Sequence, residues 1–276
     1  MSAVSVTLDP ALDPQAATTG LASGPGRDRL LTVLAPLAAG AIGLGLWEFG
    51  VRGFGIDPYV LPTPSNIGGR VIENLDTITA AMTVTGRNAL LGLVIGAVLG
   101  ILTAIAASVS RLLDEMALPI VAALSVLPIV ALAPVLYTMF GAAVDTARII
   151  VAALAVVIPV HLNTLRGLRQ VKPVHLDLLR ASAASTVQVV RTVTLPTATP
   201  HVFTGLRIGS SMAVISALIA EYFGGPIGGL GKSITSAAAN SNFPLAWAYV
   251  VGAIALGLAF FLVTLALETW FARDSH

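Results

Sequence analysis

The sequence contains no cysteine, which removes disulfides, thiolate metal sites and cysteine nucleophiles together. Charge is scarce as well. Only 11% of the 276 residues are Asp, Glu, Lys or Arg, where a soluble domain carries roughly 25%, so the chain cannot dress a water-facing surface. Net charge is +1, which leaves no basic excess to steer the chain toward DNA or RNA, and no nucleic-acid partner is expected. What the chain does have is apolar surface: 56% of its residues are hydrophobic and its mean hydropathy is +0.89. The same numbers exclude disorder and collagen. A spanning helix needs about 20 apolar residues, so the length accommodates six or seven of them. The composition is that of an all-α, polytopic membrane protein.

Along the chain, residues 1–28 are rich in Ala, Thr, Gly, Pro and Asp without hydrophobic period, and read as a disordered tail. A signal peptide is not expected, because a charged n-region is missing and the first apolar stretch starts only after Arg29. Six spans are predicted: 30–50, 88–110, 116–141, 147–164, 202–223 and 245–270. The stretch 51–87 is too polar and broken to cross, and Ser65 or Asn66 is placed to cap the helix after its Pro-rich turn. The third span contains Pro119, Pro128 and Pro134, which a membrane bundle tolerates when neighbouring helices satisfy the freed carbonyls. A short small-residue segment at 232–243 reads as re-entrant or interfacial.

Lys and Arg set the orientation. With the N-terminus inside, the inner face holds Arg27, Arg29, Arg111, Arg166, Arg169, Lys172, Arg180, Arg191, Arg207 and Arg273. The outer face holds Arg52, Arg70, Arg87, Arg148 and Lys232. The excess puts both termini, and the polar loop 165–200, in the cytoplasm. That loop reads as a helix over 174–184, a turn, and a second helical piece ended by Leu195-Pro196 and Thr199-Pro200. Leu176, Leu179, Ala183, Val187 and Val190 make its face apolar although it lies outside lipid. Such a face needs a partner surface or the bilayer surface itself.

Here the sequence resembles a known family, the permease subunits of binding-protein-dependent ABC importers. Their loop signature is Glu-Ala-Ala, three residues, Gly, nine residues, an aliphatic, one residue and Leu-Pro. In this chain Asp177-Leu178-Leu179 stands at the Glu-Ala-Ala position, Ala183 at the glycine, and Val193 precedes Leu195-Pro196 in register. The departures are Asp for Glu, Leu-Leu for Ala-Ala and Ala for Gly. Leu61-Pro62-Thr63-Pro64-Ser65, Ile158-Pro159 with Leu162-Asn163-Thr164, Gly205-Leu206-Arg207 and Ala220-Glu221 through Gly229-Leu230-Gly231 are similar to the nitrate, sulfonate and taurine branch. Members importing pyrimidine precursors or flavins look alike. The resemblance implies a type I importer bundle over 29–272 in the bacterial inner membrane, a cytoplasmic C-terminus at 273–276, and a second permease copy. It also implies two ABC ATPase subunits that bind the ATP, an extracytoplasmic substrate-binding protein, and no cofactor of the permease's own. Asp177, Leu179, Arg180, Ala183, Val187, Val193, Leu195 and Pro196 are then the ATPase-coupling residues.

The run Gly225 to Ser233 tempts one toward a phosphate-binding loop. Pro226 stands where that pattern needs glycine, and no strand precedes it. A hinge or gate-shaping loop fits better. Glu221 is an intramembrane carboxylate and so a functional candidate by default: it lines the pore or gate, or it makes a helix-end or interfacial contact. Ser210, Ser211 and Ser216 share parts of one face with it and either line the pathway or pack helices closely. Asn240 reaches the pathway or serves as a helix cap, and Pro128 kinks a helix that lines the path or merely packs. The histidines show no metal-ligand spacing, and no metal is expected.

An ion-coupled secondary transporter is the alternative class, but spans two, three, four and six carry no interior carboxylate before Glu268. An intramembrane protease would need a histidine near Ser210 or Ser211; enzymatic activity is not expected. The solute implied by the resemblance is a small organic or inorganic anion, with a vitamin-like heterocycle as the other possibility.

Overall fold

The computed structural model describes residues 25–273. No strand occurs among them. They form two units, one up to Gly55 and one from Ile56 onward. The first contains α1 (Pro25–Gly53), whose Arg52 pairs with Glu48 one turn earlier at 2.5 Å. Of the expected 1–28 tail, residues 1–24 lie outside the described residues, while 25–28 already belong to α1. Residues 274–276 lie outside as well.

The second unit opens with α2 (Pro64–Glu73). Its cap is Thr63, whose hydroxyl accepts from the Asn66 N–H at 3.3 Å, rather than Ser65 or Asn66. Pro64 fixes the register, since proline suits the first helical position, where its missing N–H is not needed. Next comes α3 (Leu75–Val109), 35 residues long and starting thirteen residues before the expected span. The polar run 75–87 is helical with its hydroxyls satisfied on the helix's own carbonyls: Thr77 on that of Asn74, Thr79 on Asp76 and Thr83 on Thr79.

The expected third span is not one helix. In its place stand α4 (Arg111–Val126), a 3₁₀ turn at Ile129–Ala131 and α5 (Leu132–Phe140). The break falls at Leu127, whose ψ of 127° is extended, as the ring of the following Pro128 requires of the residue before it. Pro119 sits inside α4 and Pro134 in the first turn of α5 without ending either. Among the described residues, five helices are long and apolar enough to cross a membrane, rather than six.

The core is a packed trio of α3, α6 (Thr146–Arg169) and α9 (Leu195–Phe223). In lipid, helices associate through close backbone approach and small residues. Gly92, Gly96 and Gly100 form one stripe along α3 against Ala152, Ala153, Val156 and Val160 of α6. A Cβ on Gly96 would lie 2.6 Å from Val156 Cβ, and one on Gly100 would lie 2.9 Å from the Val157 carbonyl oxygen. From the other side Gly205 of α9 brings its backbone against Pro159 and Val160 of α6. Between α6 and α9 lie α7 (Pro173–Ala181), α8 (Thr186–Val189) and a π-helical turn, Val190–Thr194. The chain ends with α10 (Leu230–Ala239) and α11 (Phe243–Arg273); α11 lies along α9, where Arg207 meets Glu268 at 3.1 Å.

Candidate functional site

The loop singled out by sequence closes in a defined way. Helix α7 ends in a Schellman turn: the Ala183 N–H donates to the Arg180 carbonyl and the Ala184 N–H to the Leu179 carbonyl, both at 3.0 Å. Closing that turn puts Ala183 at φ +55°, a left-handed conformation that glycine adopts without steric penalty. The glycine of the resembling signature therefore has a conformational reason here, and alanine occupies its place under strain. The Ala183→Gly variant should stabilise the protein by about 1 kcal/mol, the left-handed penalty of a Cβ. Thermal unfolding in detergent reads this out, and an unchanged or lowered midpoint would refute it.

After the turn, Ser185 and Gln188 form a reciprocal capping box that starts α8. The helix then widens to the π turn and continues into α9 with Pro196 in its first turn. Leu195-Pro196 and Pro200 thus begin the long helix rather than ending the loop. The ring of Pro196 crowds the carbonyl four residues back, that of Thr192, and the wider π turn, in which the Leu195 N–H reaches the Val190 carbonyl, takes up that clash.

Exposure divides the loop differently from the expected face. Leu176, Leu179 and Val193 are half-buried, while Asp177, Arg180, Ala183, Val187, Leu195 and Pro196 are exposed. Asp177 and Arg180 pair with each other at 3.3 Å. The bare apolar surface comes from Val174 and Leu178, 69% and 67% exposed, together with Val187 at 62%. Val174 and Leu178 stand four apart on α7, a helical spacing that places both on one face and that was readable in the sequence.

The expected pathway residues are not gathered in one place. Pro128 is exposed at the break between α4 and the 3₁₀ turn; Ser211 lines an apolar groove of about 630 Å³ between α9 and α11; Asn240 is exposed beyond the end of α10. Ser216 is buried, and Ser210 is buried with its hydroxyl donating to the Arg207 carbonyl at 2.8 Å. Glu221 is fully buried at the end of α9 and its carboxylate is held on every side. It accepts from the Gly231 N–H at 2.7 Å and from the Thr85 hydroxyl at 2.9 and 3.0 Å. The Thr85 oxygen in turn accepts from the Leu230 N–H at 2.8 Å. Glu221 and Thr85 thereby satisfy the free N–H groups at the start of α10.

Arg148, also fully buried, lies 3.8 Å from Glu221 and 3.0 Å from Asp145. It donates as well to the Pro226 carbonyl and to the Tyr137 hydroxyl at 3.4 Å, while Tyr137 donates to the Ala220 carbonyl. Asp145 also receives Arg87 and, at 3.2 Å, Asn88. Two cations and two carboxylates close into a neutral knot beneath the glycine-rich loop. Gly225 has φ +98°, and a Cβ there would lie 2.7 Å from the Arg148 guanidinium. The loop is held by side chains, not poised around a phosphate. Arg148 inside an apolar stretch was the readable signal for this knot, one that the outer-face assignment of Arg148 passed over.

Residues 96–275 match the family model described as "Binding-protein-dependent transport system inner membrane component". The chain belongs to this family. Members of it are membrane transport permeases rather than enzymes. This permease is 28% identical over 232 residues to a probable ABC transporter permease protein of Haemophilus influenzae, covering 84% of this chain and 94% of that one. It is also 28% identical over 232 residues to the riboflavin transport system permease protein of Chloroflexus aurantiacus, with 83% and 86% covered. The crystal structure of an amino acid ABC transporter with histidines shares the fold of this permease at TM-score 0.59 and 15% identity, over 74% of this chain and 96% of that one.

Proposed function

We propose that this permease forms the translocation pathway of an ABC importer in a bacterial inner membrane, with both termini in the cytoplasm. The segment from α7 to the start of α9 couples it to a separate ATPase. The observation that supports coupling is the exposed apolar set Val174, Leu178 and Val187 on two short helices braced by a Schellman turn and a capping box. An amphipathic helical element of this kind beds its apolar side in a partner's groove, and Arg191 and the exposed Asp177–Arg180 pair present charge around it. Two ATPase subunits, a second permease copy and an external binding protein complete the assembly. ATP binds to the ATPase, and the permease holds no cofactor of its own. The solute is a small anion or a vitamin-like heterocycle.

The test is co-purification of a tagged chain expressed with its genomic neighbours. An ATPase is expected to remain bound in detergent, and to be lost when 177–196 is replaced by a glycine-serine linker in a chain that still inserts and elutes as one peak. A chain that purifies alone and moves solute in liposomes under an ion gradient would instead be a secondary transporter.

A further inference from the structure

Four of the five cations assigned to the outer face are neutralised within the protein. Arg52 pairs with Glu48, Arg70 with Glu73 at 2.9 Å, and Arg87 and Arg148 with Asp145. Lys232 is the exception: among the described residues no carboxylate lies within 4.0 Å of it, and it is half-buried. Its surroundings are a cavity of about 360 Å³ walled by one face of α10 and the start of α11. Lys232 and Ser236 on α10 and Asn240 just past its end recur every fourth residue and so line up, with Ser233 beside them; Asn242 and Tyr249 close the other wall.

The cavity is open to one side, with Ser236 and Asn240 exposed and Lys232, Ser233 and Asn242 half-buried, and much of its polar lining is unpaired within the protein. Among the described residues, neither the Ser233 nor the Ser236 hydroxyl makes a hydrogen bond within the protein, and Asn242 uses only its carbonyl, on the Leu245 N–H. The Tyr249 hydroxyl is turned away to Thr77, which leaves the ring as a wall. An ammonium and several unused donors therefore surround a space that contains no carboxylate. Charge-assisted hydrogen bonds to an anion are what such a lining offers.

We propose that this cavity is a binding site for the anionic group of a small monovalent solute, with Lys232 as the residue that selects for charge. One ammonium matches one negative charge, and the volume suits a solute of a few heavy atoms to about the size of a small cofactor fragment. The proposal rests on the permease reading for the reason a solute would be there.

Lys232 and Lys172 are the only lysines in the chain, which makes a direct test possible. Reductive ¹³C-dimethylation keeps the lysine charge and labels both side chains in the full-length protein, together with any free α-amine, whose resonance neither lysine variant removes. Lys232→Arg and Lys172→Arg assign the two resonances. Titration with methanesulfonate in lipid-free detergent should move the Lys232 resonance saturably while exposed Lys172 stays in place. Dimethyl sulfone, its uncharged near-isostere, should move neither. Ser236→Ala, which retains the reporter, should raise the half-saturation concentration roughly three- to tenfold, the worth of one hydrogen bond.

Equal movement of both lysines, an equal response to dimethyl sulfone, or no response to methanesulfonate overturns the site. A Lys232 resonance that responds only when anionic phospholipid is added assigns the cavity to a lipid headgroup and overturns it as a solute site. Recovery of an ATPase in the co-purification experiment depends on none of these groups. A silent Lys232 with ATPase recovered therefore refutes the anion site alone, and a lone chain whose Lys232 responds refutes the ATPase-coupled reading alone.

Discussion

The Glu221→Ala variant should lose more stability than any other single truncation in the second unit. Three acceptor contacts disappear at once: from the Gly231 N–H and, twice, from the Thr85 hydroxyl. The first turn of α10 loses its cap, and Arg148 stays fully buried with Asp145 as its remaining carboxylate. Leaving a buried donor without its acceptor costs about 1–3 kcal/mol, and here two donors, the Gly231 N–H and the Thr85 hydroxyl, are left so, while Arg148 keeps one of its two carboxylates. The glutamine variant keeps the shape and one good acceptor but puts an N–H₂ where Thr85 or Gly231 presents a donor, so its loss should be roughly half as large. Thermal unfolding in detergent orders the three proteins, and limited proteolysis of the loop 224–229 reports whether the damage is local. If the alanine variant melted within a degree of the parent, with its loop equally protected, the knot would not be holding this end of the molecule.

The second large effect is expected in the middle of α3. Gly96→Val sets a branched side chain against the Ala153 carbonyl and Val156, where even a single Cβ would sit 2.6 Å from Val156 Cβ. Nothing flexible is available to yield, because the obstacle on one side is the α6 backbone. Overpacking a core costs typically about 1–3 kcal/mol, and the upper end applies where two helices must separate along their length. Gly257 of α11 supplies the contrast, since a Cβ there meets nothing within 4 Å. Gly257→Ala should be neutral or stabilising by up to about 1 kcal/mol through helix propensity, whereas Gly96→Ala should destabilise. Equal effects at the two positions would mean that close packing of α3 on α6 is not what holds the trio together.

How much of this was readable beforehand differs from residue to residue. The apolar stretches located every long helix, since burying or lipid-facing 20 residues leaves an unmistakable composition. The spacing from Asp177 to Pro196 located the loop and even the position whose φ is positive. Pro128 was harder. It shares its stretch with Pro119 and Pro134, and a proline inside a helix looks like a proline that ends one until the chain's path is known. The start of α3 was hidden because threonine hydroxyls that bond to their own helix look, in a sequence, like the polarity of a loop. The glycines at 92, 96 and 100 lie at a helical spacing, but only the neighbouring helix tells packing from flexibility. Glu221 was visible as a charge in an apolar run; that its partners are Thr85, 136 residues away, and the start of α10 is a property of the fold.

The π turn at Val190–Thr194 acts as a phase adapter. Successive residues of an α-helix advance by about 100°, so a turn that takes in one extra residue rotates everything before it by roughly that angle relative to everything after. The exposed side of α8 is therefore out of step with the side of α9 that packs on α6, although the two run end to end. A single-residue deletion inside 190–194 would bring them back into step and swing Val187 about a quarter-turn around the axis. The orientation in which this protein presents its loop is thus written in the count of residues through one turn as much as in their identity.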